Sequence, residues 1–237
     1  MKKNSFKEIQ FPKTYKYSSD SDHIPLEFYE EAFPIAKSID LLLGYFSSNA
    51  IKVLSKSFAE FIYYGGKMRL ITNHFLSEND FENLLENIDV KNEDKIIDIF
   101  NDLGKLEKNL SQEGQHFFDC LKYLLKNKRL ELIPVKFNEF DLAHCKKMIL
   151  FDGQDYISTD GSINFTLSAL IKNSESFQVD APWVSNVSKE RIGQERKNFE
   201  RIFNNDHPNY KHISNEEIER VVRTVGNDKN LKDLLDD

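Results

Sequence analysis

The 237-residue sequence predicts an α/β fold built on a mixed sheet, and three stretches predict it. The first is a pair of compact apolar runs, SIDLLLGYF (residues 38–46) and KMRLIT (67–72), with the character of buried strands; between them SSNAIKVLSKSFAEFIYY spaces its apolar residues as a helix does. A strand, a helix and a strand joined by short loops form a βαβ unit, in which the strands run parallel. The second is HCKKMILFDGQDYISTDGSIN (144–164), two strand-like runs around Asp152-Gly153, a dipeptide that marks a tight hairpin and hence an antiparallel pair. The third, VSKERIGQERKNFERIF (187–203), reads as a long, charged helix.

Taken in order, residues 1–24 are polar, include SSDSD, and read as an N-terminal arm. LEFYEEAFPIAK is helical up to an interruption near Pro34, followed by the first strand. The next helix takes Ser48 or Asn49 as its N-cap and stops at Gly65-Gly66. After the second strand, SENDFENLLENI restarts a helix with Ser77 and Asp80 in capping-box-like positions. Residues 93–127 read as two further helices broken between Asn109 and Gly114, RLELIPV as a short strand and SFQV (176–179) as another. These elements place the main domain at residues 25–212. Residues 213–237, with a cap at Ser214 and Glu217 and a stop at Gly226-Asn227, read as a helical tail or linker.

Composition narrows the function classes. A hydrophobic content of 40% and a charged content of 30% describe an ordinary globular chain, and no stretch is long and apolar enough to cross a bilayer or to serve as a signal h-region. Cys120 and Cys145 have neither metal-ligand spacing nor a disulfide framework, which points to a reducing, cytoplasmic setting. The net charge of −7 lacks the overall footprint of a strong nucleic-acid binder, although a local groove can still attract a polyanion. There is no Gly-x-x-x-x-Gly-Lys loop, no Gly-x-Gly-x-x-Gly fingerprint and no Gly-x-Ser-x-Gly elbow.

The chemistry concentrates in residues 144–175. His144 and Lys146, two apart on a strand, project to the same face. If Asp152-Gly153 alone form the hairpin loop, Gly161 falls opposite His144; a four-residue loop, Asp152 to Asp155, puts Ile163 there instead. Either register returns Gly161-Ser162-Ile163-Asn164 to the end of the strand that carries His144, with Gly161 expected to let the chain turn. The set suits a phosphate. Lys146 supplies charge, Ser162 and Asn164 supply donors, His144 can attack phosphorus or transfer a proton, and Glu175 is a candidate to hold the other imidazole nitrogen. The plainer account, a strand-end histidine followed by a turn and a helix cap, covers Gly161 and Asn164 but not a lysine inside an apolar strand.

His144-x-Lys146, Gly161-Ser162-x-Asn164 with Phe165-Thr166, and the acidic residue of Asn173-Ser174-Glu175 resemble the HKD motif of the phospholipase D superfamily, closest to the single-motif nuclease branch of bacterial restriction and anti-phage proteins. LLLGYFSSNAIKVLSKSFAEFIYYGGKMRLIT is similar to the first βαβ unit of those nucleases, and the likeness spans about residues 25–205. The family's aspartate position falls on Phe151, with Asp152 one place later. The resemblance implies a phospholipase D-like mixed sheet flanked by helices on both faces. It also implies a DNA endonuclease that needs no metal or other cofactor, in which one histidine forms a phosphohistidine and a second protonates the leaving oxygen. No other histidine has a lysine two residues on, so a homodimer with His144 from each copy is implied. The expected partners are DNA, a second copy and a helicase or other defence-system protein. A catalytically silent module that binds nucleic acid or such a partner is the alternative, favoured by the displaced Asp152 and the acidic balance. Lipid hydrolysis would need an interfacial surface that the sequence does not offer.

Lesser signals are read conservatively. Lys189, Arg191, Arg196, Lys197 and Arg201 form a solvated helix face in preference to a nucleic-acid contact. Asp180 and Trp183 are packing rather than cleft, Cys145 is core, and Asn73-His74 is a loop after the second strand.

Overall fold

A computed structural model describes residues 3–46, 55–75, 112–137, 146–161 and 176–236, and the structural statements below concern those residues. The strands are β1 (Lys16–Ser18), β2 (Ser38–Phe46), β3 (Lys67–Phe75), β4 (Leu130–Phe137), β5 (Lys146–Phe151), β6 (Tyr156–Gly161), β7 (Ser176–Asp180) and β8 (Tyr210–His212). The helices are α1 (Pro25–Ala32), α2 (Ser55–Tyr63), α3 (Gln112–Lys126), α4 (Asn186–Phe203), α5 (Glu216–Val225) and α6 (Leu231–Asp236). The described strands form one eight-stranded sheet in the order β1-β7-β6-β5-β2-β3-β4-β8. β2, β3 and β4 run parallel, and every other pairing is antiparallel. The sheet is therefore mixed, as the βαβ unit and the hairpin predict.

Strand alternation divides the apolar residues between two layers. Ile39, Leu41, Leu43, Leu70, Met148 and Leu150 face the larger core, where Phe28 of α1, Phe61 of α2, Phe118 of α3 and Val222 of α5 pack. Leu42, Ile71, Val135 and Ile149 face the other way, against Phe199 and Ile202 of α4. Helices thus cover both faces, which is why SIDLLLGYF is continuously apolar instead of alternating.

Several expectations are corrected. Residues 1–24 do not stand apart: Phe6 is fully buried, Ile9 and Tyr17 are buried, and β1 pairs with β7. Three apolar side chains outweigh the polar composition around them. The C-terminal segment is also part of the body, with Val222 and Val225 in the larger core. It is fastened to α3, where the fully buried Asp119 accepts from the Asn227 backbone N–H at 2.6 Å and Lys122 donates to the Gly226 carbonyl at 2.9 Å. α5 follows Asn215, with the Ser214 hydroxyl accepting from the Glu216 N–H at 3.3 Å, and it ends at Gly226 as expected. α3 already includes residues 112–114, part of the expected break, and Asn73-His74 lies within β3 instead of a loop. The helices expected around residues 77–108 lie outside the described residues, as do the caps at Ser48 or Asn49.

Candidate active site

The hairpin takes the longer of the two registers. Phe151 pairs with Tyr156 and Lys147 with Asp160, leaving Asp152 to Asp155 as a four-residue loop in which Gly153 has φ +106°. Asp152 organises that loop. Its carboxylate accepts from the backbone N–H groups of Gln154 and Asp155, both at 2.8 Å, and of Phe6 at 2.9 Å. Burial alone would raise its pKa, but these backbone donors, Asp155 first, outweigh it and hold the carboxyl below the ordinary aspartate range. Asp152 is thus a structural anion that ties the N-terminal segment to the hairpin. It stands one residue past the end of β5 opposite Lys146, about 20 Å away at the usual strand rise.

Lys146 begins β5, half-buried, directly opposite Leu43 on the face of the larger core. Lys147 points to the other face, where it ion-pairs with Glu195 of α4 and with Asp160. Burial opposes its charge, but Glu195 and Asp160 together raise its pKa. The two consecutive lysines therefore serve different layers.

The strand ends around Lys146 line up. Leu43 pairs with Lys146 and Thr72, Thr72 with Pro134, and Gly161 with Phe177. The carboxyl ends of β2, β3, β4 and β6 and the amino ends of β5 and β7 consequently share one edge of the sheet. Gly161 is still in the strand at this edge, and its role differs from the turn expected of it. A β-carbon there would stand 2.6 Å from Phe177 Cα and closer still to the Ser176 carbonyl oxygen, so glycine lets β6 and β7 approach.

Of the five candidate site residues, Lys146 is described. His144, Ser162, Asn164 and Glu175 lie outside the described residues, as does Cys145. Asp180 is at the opposite end of β7, ion-paired with Arg191 at 3.5 Å, and Trp183 donates to the Tyr15 hydroxyl at 3.1 Å beside Phe11, so both are packing elements. Cys120 is buried, with its sulfur 3.5 Å from His116 Nε2, and the described residues contain no group of three or more potential metal ligands. No described helix is long and apolar enough to cross a membrane.

Sequence reading missed a charged cluster on the α4 face. Arg69 makes a two-pronged contact with Asp40 at 2.7 and 2.6 Å, and reaches Glu200 at 2.7 and 3.2 Å. Its guanidinium lies over the rings of Phe199 and Phe203. Burial works against the charge, but the bonds to Asp40 and Glu200 more than offset it and raise the pKa. The signal was available: Asp40 and Arg69 are opposite charges at the third position of two apolar strands, and they pair directly across β2 and β3.

No protein-family model and no curated protein matches the chain. Among solved structures it is similar to NucT from Helicobacter pylori, at 13% identity over 74% of this chain and 85% of that one, with a TM-score of 0.41. It is also similar to Nuc from Salmonella typhimurium, a phospholipase D family member, at 18% identity over 77% of this chain and 92% of that one, with a TM-score of 0.40. The likeness is one of fold alone.

Proposed function

We propose that the chain is a metal-independent DNA endonuclease working at a homodimeric site in bacterial restriction or anti-phage defence. An imidazole nitrogen of His144 bonds to phosphorus as the bond to the leaving sugar oxygen breaks, and His144 of a second copy gives that oxygen its proton. Water then attacks the phosphohistidine, returning a proton to the second imidazole and releasing His144 and a phosphomonoester. Lys146, Ser162 and Asn164 hold the non-bridging oxygens, and Glu175 orients the nucleophile's ring.

The observation that carries this reading is the shared edge. Ser162 follows Gly161, Glu175 precedes Ser176 and His144 stands two residues before Lys146, so these candidates are tethered by one or two peptide bonds to neighbouring strand ends. Asn164 is three bonds from Gly161. With consecutive Cα atoms about 3.8 Å apart and strands about 4.8 Å apart, such tethers are short enough for the side chains to meet. Ligands of open α/β sheets bind outside the carboxyl ends of the parallel strands, and Lys146 is at that end. The displaced Asp152 no longer favours a silent module, because its backbone partners give it a structural task.

The test offers DNA and phosphatidylcholine vesicles side by side in EDTA, with the solution mass measured on the same sample. The reading expects cut DNA, intact vesicles and twice the 27.7 kDa of one chain. A strict monomer that leaves DNA whole would count against it.

A further inference from the structure

On the face covered by α4, at the end of the sheet away from Lys146, a cavity of about 170 Å³ opens among the starts of β2, β3 and β4 and the side of α4. Two of its arginines are committed within the protein: Arg69 to Asp40 and Glu200, and Arg129 to the carbonyl oxygens of Ile62 and Gly66. Three further cations share the wall, Lys67, Lys128 and Arg196, with Glu131 as the one additional carboxylate. Among the described residues none of the three makes an ion pair.

Arg196 is held without being neutralised. Its guanidinium lies 3.5 Å from the centre of the Tyr156 ring, which is stacked in turn on Phe151 at 4.3 Å. Ring stacking fixes the plane of the fork while its donors stay available for an anion. From Arg196 the outer face of α4 continues with exposed Lys197 and Arg201, one turn apart, and with Lys189 two turns back. Between Lys189 and Lys197 stands exposed Gly193, where a β-carbon would meet nothing within 4 Å, so the backbone there is bare. Against these cations the exposed face carries Glu190 and the already paired Glu200, on a chain whose net charge is −7.

We propose that the cavity and the outer face of α4 form a docking track for a nucleic-acid backbone, with one phosphate held among Lys67, Lys128 and Arg196 and its neighbours met by Lys197 and Arg201. A concentration of uncommitted cations on an acidic chain is the electrostatic footprint of a polyanion, and a run of such contacts favours a repeating phosphate chain over a single small anion. The sequence favours a solvated helix face because α4 alone carries interspersed glutamates. Folding adds Lys67 and Lys128 from distant segments and uses Glu200 to bind Arg69. The track includes none of the candidate residues His144, Lys146, Ser162, Asn164 and Glu175, and it stands whether or not they cleave.

The test is fluorescence anisotropy with a short labelled DNA duplex, in a chain carrying His144→Ala so that the probe stays intact. Lys67→Ala, Arg196→Ala and Lys197→Ala together are compared with Lys13→Ala, Lys16→Ala and Lys232→Ala, which remove the same charge elsewhere. The track variant should raise Kd about tenfold or more and lower the slope of log K against log salt by about 2 to 3, while the control stays within about twofold. Equal weakening in both variants, an unchanged Kd in the track variant, or no binding by the starting chain would overturn the proposal. If the first variant does not fold, Lys128→Ala with Lys197→Ala asks the same question with the Arg196 stack intact.

Discussion

At Asp152 three backbone N–H groups converge on one buried carboxylate, two from its own hairpin and one from Phe6, 146 residues away in sequence. The arrangement makes a single side chain responsible for both the loop conformation and the seat of the N-terminal segment. Asp152→Ala should cost about 1–3 kcal/mol, the usual loss when buried donors are left without a partner, read from the midpoint of urea unfolding. The acid response follows from the direction of the shift. A carboxyl with a lowered folded pKa gives its full contribution above the ordinary aspartate value of about 4 and loses it as pH falls through the lower folded value. The parent chain should therefore shed stability in that acid window and Asp152→Asn should shed less of it. Parallel acid limbs in the two profiles would show that the carboxylate is not what the backbone donors hold.

Arg69 joins three elements, β2 through Asp40, its own β3, and α4 through Glu200, and the partners differ in exposure. Asp40 keeps 10% of its side chain exposed and Glu200 50%. Arg69→Met leaves the more buried carboxylate unpaired and should cost about 3 kcal/mol, whereas Glu200→Gln removes a solvated contact and should cost under about 1 kcal/mol. Equal losses in the two variants would mean that α4, not the strand pair, is the main beneficiary. α4 offers a second test in the opposite direction. Gly193 sits in an exposed helix interior with open space around it, so Gly193→Ala should add about 1 kcal/mol and raise Tm by about 2–4 °C. At this scale the sequence was informative where periodicity and punctuation agree. SIDLLLGYF coincides with β2, the helix before Gly65 is as read over its described part, Ser55–Tyr63, the stop at Gly226 is as read, and the parallel pairing of β2 with β3 follows from their short connections. It was uninformative where a few apolar side chains decide the matter within a polar stretch, as with Phe6, Ile9 and Tyr17.

For the whole molecule, the mixed topology brings six strand ends to one edge, and this is what a linear reading of His144 to Asn164 could only partly foresee. The hairpin itself was legible, although the choice between loop lengths was settled by Asp152 capping its own turn, a contact that also requires a segment from the other end of the chain. The charged cavity was not legible, since Lys67, Lys128 and Arg196 meet only after β3, β4 and α4 are assembled. The central claim is that the edge carrying Lys146 is a phosphodiester-cleaving site with His144 as its nucleophile. The most direct measurement is DNA cleavage in EDTA by His144→Ala beside the parent chain, at matched concentration and with matched melting temperatures. The account predicts cutting by the parent and a fall of about a thousandfold or more in the variant, the scale of losing an essential nucleophile. Undiminished cleavage by His144→Ala would contradict it.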